Sequence, residues 1–177
     1  MLRELSLHIL DLTENSVSAG ATLVTIEVIE NVTADQLTIR VADNGRGMDA
    51  EFVQRIGDPF ITTRTTRRVG LGLPFLKQAA EMCNGKLTID SAQGIGTTVT
   101  ATFQHSHIDR MPMGDLSGTM LSLIVGNPNI DFVFRHEIGA KGLEIDTRLI
   151  KAELGDVPLS EPSVIAYLKK TDFRFMI

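Results

Sequence analysis

The sequence predicts an α/β (α+β) fold in two layers, with a mainly antiparallel mixed sheet lying under helices. Two segments, 2–18 and 71–83, carry apolar residues at helical spacing. Two pairs of shorter segments are rich in Val, Ile and Thr, alternate in polarity and are joined by turns, which is typical of β-hairpins. Because each helix precedes a hairpin along the chain, the helices can cover one side of the predicted sheet.

The first helix, predicted over residues 2–18, presents two neighbouring stripes. Its apolar stripe follows helical spacing: Leu2, Leu5, Ile9 and Leu12. Its polar stripe follows the same spacing: His8, Asp11, Asn15 and Ser18. Gly20 is a suitable end for the helix. A polar stripe alone indicates a solvated face, but with the motifs described below it predicts one wall of a binding site.

The segments that follow predict a hairpin and a short helix. Residues 22–30 and 36–42 alternate in polarity and are predicted as strands. Residues 49–56 are predicted as a helix that Asp49 can cap. The next segment, 57–69, is polar and cationic, and we expect it to be irregular.

A second helix and a second hairpin complete the predicted layers. The helix over 71–83 has four residues on its apolar side: Leu73, Leu76, Ala80 and Cys83. Asn84 and Gly85 end it. Residues 86–90 and 97–103 are predicted as strands around a glycine-containing turn at 94–96.

Composition limits the class of protein. The chain has 177 residues, 43% of them hydrophobic, and a net charge of −5. This acidic balance argues against general binding to nucleic acids or to anionic membranes. The single cysteine, Cys83, excludes an internal disulfide and fits a reducing compartment. No apolar run approaches the ~20 residues of a membrane span, and the N-terminus lacks a signal-sequence pattern. We therefore expect a cytoplasmic location.

Five short motifs follow one another within the first hundred residues. They are 11–16 (DLTENS, followed by AGAT at 19–22), 43–48 (DNGRGM), 59–64 (PFITTR), 70–73 (GLGL) and 94–98 (GIGTT). A single DNGxG is a weak signal, because Asn-Gly and Asp-Gly are common in turns. All five in this order resemble the ATP-binding domain of DNA gyrase, heat-shock chaperones, histidine kinases and mismatch-repair proteins. This is the GHKL superfamily, whose fold is called the Bergerat fold.

The resemblance covers residues 1–104 and implies a two-layer Bergerat-type sandwich. Only nine residues separate Phe60 from Gly70. This short lid, with the motifs on either side of it, is most similar to the histidine-kinase-like ATP-binding domain. The first helix, in contrast, is more similar to mismatch-repair ATPases.

The resemblance implies a site for ATP or ADP with Mg²⁺. In the family, the aspartate of DNGxG, here Asp43, binds the amino group of adenine. Gly45 and Gly47 allow the backbone to approach the base, and Met48 packs against the ring. Thr97 matches the family threonine that helps to bind the adenine edge, often through water; the alternative is an ordinary β-branched strand residue.

The first helix supplies the expected metal ligand and base. Asn15 matches the asparagine that binds Mg²⁺, a cation that prefers oxygen ligands. Four residues earlier the family often has a glutamate as general base, where this chain has Asp11. Aspartate is one methylene shorter than glutamate. We therefore expect the site to bind ATP but not to hydrolyse it fast. Glu14 points about 100° away from Asn15 around the helix and is a poor substitute.

The phosphates are expected at the start of the second helix, where backbone N–H groups and the helix dipole favour anions. The resemblance assigns this role to the glycine-containing motif: Gly70, Leu71, Gly72 and Leu73. The basic loop before it carries Arg64, Arg67 and Arg68, and we expect Arg64 above all to bind phosphate, because a guanidinium matches phosphate oxygens well. Thr63, next to it, is also expected at the site. A solvated loop is the alternative interpretation of these cationic residues.

The class of activity depends on the phospho-acceptor. Sensor histidine kinases carry an acceptor histidine on a helix upstream of the ATP-binding domain, whereas the predicted ATP-site helix begins here at residue 2. We therefore expect a free-standing regulatory kinase that acts in trans on an unidentified partner protein. Two alternatives stay open: a slow ATPase that acts as a conformational switch or assembly factor, and a non-catalytic module that senses ATP or ADP.

The remaining chain lies outside the resemblance. Residues 105–114 are predicted as a linker, and residues 115–177 as a small C-terminal α/β appendage. The pattern predicts a helix at 115–125, strands at 130–138 and 143–145, and helices at 147–154 and after Ser160. We expect this appendage to pack on the ATP-binding domain or to mediate a homodimer.

Overall fold

The computed structural model describes residues 3–56 and 72–170. In this part of the chain the elements are α1 (Leu5–Ser18), β1 (Leu23–Asn31), β2 (Gln36–Asp43), α2 (Ala50–Ile56), α3 (Gly72–Met82), β3 (Lys86–Ala92), β4 (Gly96–Gln104), α4 (Leu116–Gly126), β5 (Asp131–Ile138), β6 (Lys141–Asp146), α5 (Thr147–Leu154) and α6 (Pro162–Lys170). Each of them was predicted from the sequence, with ends that differ by a few residues. The predicted irregular segment 57–69 lies outside the described residues.

The strands form one mixed sheet in the order β3-β4-β2-β1-β5-β6. Four of the neighbouring pairs are antiparallel, and β1 and β5 are parallel. The predicted mainly antiparallel α/β class is therefore confirmed. The C-terminal hairpin of β5 and β6 extends this sheet, since the β1–β5 register pairs Ile26 with Phe134.

The core lies between the sheet and the helices. Along β1 every second residue is buried, including Val24, Ile26 and Val28, as expected for a strand with one covered face. The apolar stripe of α1 is buried as predicted at Leu5, Ile9 and Leu12. So is the apolar side of the second helix: Leu73, Leu76, Ala80 and Cys83. None of the helices in residues 3–56 and 72–170 has the length and apolarity needed to cross a membrane.

The segment that was predicted as a linker is bonded to α1. The backbone N–H of Leu5 donates to the carbonyl oxygen of Pro112 at 3.0 Å, and the N–H of Ser6 donates to that of Met113 at 2.8 Å. The α4 helix, which follows this segment, also contacts α1. The C-terminal part of the chain therefore contacts the first helix as well as the sheet.

A partly buried glutamate, Glu30, connects three parts of the sheet. The two carboxylate oxygens of Glu30, on β1, lie 2.8 Å from Nε2 of His105 and 3.0 Å from Nε2 of His136. His136 lies on β5, and His105 directly follows β4. The hydrogen bond with His136, helped by His105, holds the pKa of Glu30 below its ordinary value of 4.5, although burial acts in the opposite direction.

We expect Glu30→Gln to lower the free energy of unfolding more at about pH 5.5 than at about pH 3. The pKa of Glu30 is lower in the folded than in the unfolded protein. Its ionised form therefore stabilises the fold above about pH 4.5, and this contribution is lost as the pH falls through the folded-state pKa. Denaturant unfolding at both pH values measures the effect. Glu161→Gln, at an exposed position, is the control and should change stability little; an equal cost of Glu30→Gln at both pH values would contradict the prediction.

Candidate functional site

A cavity of about 390 Å³ opens between α1, α2, the start of α3 and the ends of β2 and β4. Its volume falls in the range of small-molecule sites, about 300–1,000 Å³. Apolar side chains such as Leu12, Val41 and Phe52 form part of the wall, and a few polar groups converge on it. Six residues predicted for the site line this cavity: Asn15, Asp43, Gly47, Met48, Leu73 and Thr97.

Asp43 ends β2 at the cavity wall, and its carboxylate is held by two donors. The hydroxyl of Ser16, on α1, donates to Oδ2 at 2.8 Å, and the N–H of Gly45 donates to Oδ1 at 2.8 Å. The Ser16 hydroxyl also lies 3.3 Å from the carbonyl oxygen of Leu12, but the shorter contact with a carboxylate is the stronger one. Each carboxylate oxygen can accept a further hydrogen bond, so Asp43 can still bind a donor group in the cavity.

Asn44 stabilises the turn after Asp43 through three hydrogen bonds. Its Oδ1 accepts from the backbone N–H groups of Thr22 and Leu23, both at 2.9 Å, and its Nδ2 donates to Oγ1 of Thr22 at 2.8 Å. The N–H of Arg46 also donates to the carbonyl oxygen of Ala19 at 3.0 Å. The motif at 43–48 is thereby attached to the segment that joins α1 to β1.

The loop after β2 and the turn before β4 lie with backbone against backbone. Gly47 has a φ of +64°, and a Cβ there would collide with the carbonyl group of Ala92. Gly96 has a φ of +136°, and a Cβ there would collide with the carbonyl group of Asp43. The N–H of Gly94 also donates to the carbonyl oxygen of Arg46 at 2.7 Å. Both glycines are therefore required for the close approach as well as for their backbone angles.

Thr97 belongs to a hydroxyl network at the same wall. Its Oγ1 lies 2.9 Å from Oγ of Ser91, on β3. Oγ of Ser91 accepts from the N–H of Met48 at 2.9 Å, and its hydroxyl lies 3.0 Å from the carbonyl oxygen of Gly96. Thr97 is therefore more than a strand-forming residue, because its hydroxyl both lines the cavity and joins this network.

The polar stripe of α1 divides into two parts. Asn15 and Ser18 are exposed and line the cavity, whereas His8 and Asp11 are not among the lining residues. Oδ2 of Asp11 is buried and has no hydrogen-bond partner among the described residues. This carboxylate occupies the space that a Cβ on Gly72, the first residue of α3, would need. Burial lowers the pKa of His8, with Asp11 acting in the opposite direction, so the imidazole is held neutral at neutral pH.

Of the other predicted site residues, Gly45 and Gly72 border the site through the contacts described above. Four lie outside the described residues: Thr63, Arg64, Gly70 and Leu71.

The sequence analysis missed two residues of the site, Ser16, which is next to Asn15, and Ser91. A signal for Ser91 was available, since the turn at 94–96 sets the hairpin register that pairs Ser91 with Thr97. Among the described residues, no group of three or more His, Cys, Asp or Glu side chains could hold a metal ion.

The sequence matches a known family and parts of two sensor kinases. The model of the family described as histidine kinase-, DNA gyrase B- and HSP90-like ATPase matches residues 1–107. The chain is 32% identical over 83 residues to the sensor histidine kinase YvrG of Bacillus subtilis. It is 34% identical over 97 residues to the sensor protein kinase WalK of Staphylococcus haemolyticus. These matches cover 45% and 52% of this chain but only 14% and 16% of those relatives.

Solved structures share the fold. The ATPase domain of MutL from Aquifex aeolicus, complexed with ADP, superposes with a TM-score of 0.53 at 13% identity, covering 96% of this chain and 88% of that one. The N-terminal domain of a DNA repair protein gives a TM-score of 0.53 at 18% identity, covering 82% of this chain and 52% of that one. At these identities the likeness concerns the fold alone.

The contact between the two glycine-containing loops generates a testable prediction. Gly47 and Gly94 both have positive φ, but nothing lies within 4 Å of a Cβ built on Gly94. Gly94→Ala should therefore lower the free energy of unfolding by about 1–2 kcal/mol, which is the cost of placing a side chain on backbone with positive φ. We expect Gly47→Ala to lower the free energy of unfolding by about 1–3 kcal/mol more, because its methyl group must displace backbone. Denaturant unfolding measures both, and equal costs would show that the loops can separate freely.

Proposed function

The chain belongs to the family of histidine kinase-, DNA gyrase B- and HSP90-like ATPases, and from this premise we propose that it binds Mg-ATP in the cavity beside Asp43 and transfers the γ-phosphoryl group to a separate protein. The observation that carries the binding proposal is the Asp43 carboxylate, which lies on the wall of the cavity and keeps acceptor capacity. The domain itself is an ATP-binding domain of the histidine-kinase-like type.

The adenine base fits the wall formed by the ends of β2 and β4. Its exocyclic amino group is a donor, and Asp43 is an acceptor that two neighbouring donors already orient. Met48 and Thr97 line the same cavity, with Met48 as an apolar surface for the ring and Thr97 as a second polar group. Gly47 leaves no side chain in the close-packed loop beside them.

The phosphates and the cation are proposed at the α1 and α3 side of the cavity. Asn15 is exposed there and presents an amide oxygen, the kind of ligand that suits Mg²⁺, which keeps several waters. Bound Mg²⁺ would supply charge neutralisation for the phosphates. The N-terminus of α3 begins at Gly72 and favours anions. The remaining proposed phosphate contacts come from the segment outside the described residues: Thr63, Arg64, Gly70 and Leu71.

Transfer to a partner is supported by the similarity to sensor kinases and by the chemistry of the reaction. Phosphoryl transfer requires mainly positioning and charge neutralisation, so the acceptor side chain can belong to another protein. His8, the histidine of α1, is buried and does not line the cavity, which makes it a poor acceptor. The same cavity would bind ADP after transfer.

The test of transfer uses γ-labelled ATP and a desalted cell extract, with and without the protein. Label that appears on another protein only when the parent protein is added, and not with its Asp43→Asn variant, supports transfer. Release of free phosphate without protein labelling would support the hypothesis of a slow ATPase instead. Binding with neither product would reduce the function to nucleotide sensing.

Asp43→Asn should weaken ATP binding at least about tenfold and leave the fold intact. The substitution removes the charge from a hydrogen bond that typically contributes ~1.5–3 kcal/mol, and ~1.4 kcal/mol corresponds to a tenfold change. Titration calorimetry measures the affinity, and circular dichroism checks the fold. Asp90→Asn, an identical change at an exposed position of β3, is the matched control. Equal ATP affinity of the Asp43 variant and the parent would remove the proposed adenine site.

Hydrolysis of ATP is a second candidate, and one observation favours it. Oδ2 of Asp11 is buried without a hydrogen-bond partner among the described residues and lies against Gly72 at the start of α3. A carboxylate oxygen that no described residue bonds, at the proposed phosphate side, can orient a water molecule as a general base. Asp11 lies one turn before Asn15 on α1, so both side chains lie on the same side of the helix.

If Asp11 is this base, Asp11→Asn should slow hydrolysis by about 10²–10⁴-fold while ATP affinity changes little. Asparagine keeps the shape beside Gly72 but loses basicity. Single-turnover kinetics at saturating ATP measures the chemical step, and Glu14→Gln, at an exposed position of the same helix, is the control. An unchanged rate in the Asp11 variant would end the assignment.

A further inference from the structure

We propose that Ser91 is a positioning residue that fixes the hydroxyl proton of Thr97, so that the cavity presents only acceptors at this wall and selects a nucleobase with an exocyclic amino group. This inference rests on the proposed nucleotide binding and adds Ser91 as a residue that determines the preference for the amino purine. Ser91 itself is not among the residues that line the cavity, so it acts through Thr97.

The residues involved form one row across three strands. Asp43 on β2 is the register partner of Thr97 on β4, and Thr97 is the register partner of Ser91 on β3. Directly opposite residues of antiparallel strands have their Cβ atoms about 4.5–5.5 Å apart on the same face of the sheet. The polar groups of this row are therefore adjacent, and two of them, Asp43 and Thr97, line the cavity.

Counting protons around Ser91 assigns the direction of its hydrogen bonds. A serine hydroxyl can donate once and accept twice. Oγ of Ser91 accepts from the N–H of Met48 at 2.9 Å. Its single proton can reach the carbonyl oxygen of Gly96 at 3.0 Å or Oγ1 of Thr97, and we assign it to the carbonyl, because a carbonyl oxygen is a stronger acceptor than a hydroxyl. One lone pair is left for Thr97, whose Oγ1 lies 2.9 Å away. This last bond is satisfied when Thr97 is the donor, so its proton points toward Ser91.

With its proton directed away, Thr97 presents only lone pairs to the cavity. The Asp43 carboxylate, which already accepts from Ser16 and Gly45, is also only an acceptor. Two acceptors side by side complement an amino group with two N–H bonds, such as that of adenine. A 6-oxo purine would place a third acceptor there, and an unpaired acceptor is costly when it is removed from water.

The alternative role for Ser91 is purely structural, since its hydroxyl also joins Met48 and Gly96. The two roles differ in what they change. Loosening of the loops would weaken binding of every purine nucleotide alike. Loss of the proton direction at Thr97 would instead change the preference between amino and oxo purines, because the freed hydroxyl could rotate and donate to a 6-oxo group.

The test compares the affinities for ATP and for inosine triphosphate by titration calorimetry. Inosine has a 6-oxo group and an N1–H where adenine has a 6-amino group and an unprotonated N1. We expect the parent protein to prefer ATP, and Ser91→Ala to lower the ATP-to-ITP affinity ratio about fivefold, the size of one neutral hydrogen bond. Thr97→Val should lower the ratio similarly. Adding Ser91→Ala to Thr97→Val should change it no further, because Ser91 acts only through Thr97.

Three further variants complete the test. Ser91→Thr keeps the hydroxyl and should keep the ratio. Ser91→Cys retains the size with weak hydrogen bonding and should lower the ratio, which preserves the test if Ser91→Ala does not fold. Thr98→Val makes the same change at the neighbouring position of β4, where the side chain points to the other face, and should leave the ratio unchanged.

Two results would overturn the inference, and they are distinguishable. Equal weakening of ATP and ITP in the Ser91→Ala or Ser91→Cys variant would make Ser91 a structural residue and leave the proposed nucleotide site standing. Failure of the parent protein to bind either nucleotide would refute the proposed function, and the inference with it.

Discussion

The close contact between the 43–48 loop and the turn before β4 is the constraint on which the rest of the site depends. Gly47 and Gly96 lie where a Cβ would meet the backbone of the opposite segment. Because neither residue has a side chain, β2 and β4 keep their pairing up to the register pair of Asp43 and Thr97. The carboxylate and the hydroxyl are thereby brought to one wall of the cavity, with Ser91 behind them.

The α1 helix connects this wall to the core. Its apolar stripe is buried, and this burial is worth about 25 cal/mol for each Å² of apolar surface removed from water. The same helix carries Ser16, which holds Asp43, and Asn15, which lines the cavity. Since the first turn of α1 is also bonded to Pro112 and Met113, the C-terminal part of the chain supports the helix that supplies the site.

The sheet carries two separate groups of polar side chains. At the edge near the cavity, the row from Asp43 to Ser91 consists of polar groups that orient one another. On the far side, β5 continues the sheet beside β1, and Glu30 and Glu27 link the two strands through His136 and Arg135. These bonds join the C-terminal strands to β1, which lies within residues 1–107, the part of the chain that matches the ATPase family.

The sequence by itself determined the elements of the described chain, their apolar faces and six residues of the cavity wall. The elements and their faces follow from local rules, because helical and strand periodicity are read within one segment. The six cavity residues follow from the resemblance of the short motifs to the ATP-binding family. Only the tertiary structure decided that β5 pairs with β1, that Ser16 holds Asp43 and that Asp11 packs on Gly72. The physical reason is that these contacts join segments far apart in the chain or on different strands, and their geometry depends on how the whole sheet and its helices pack.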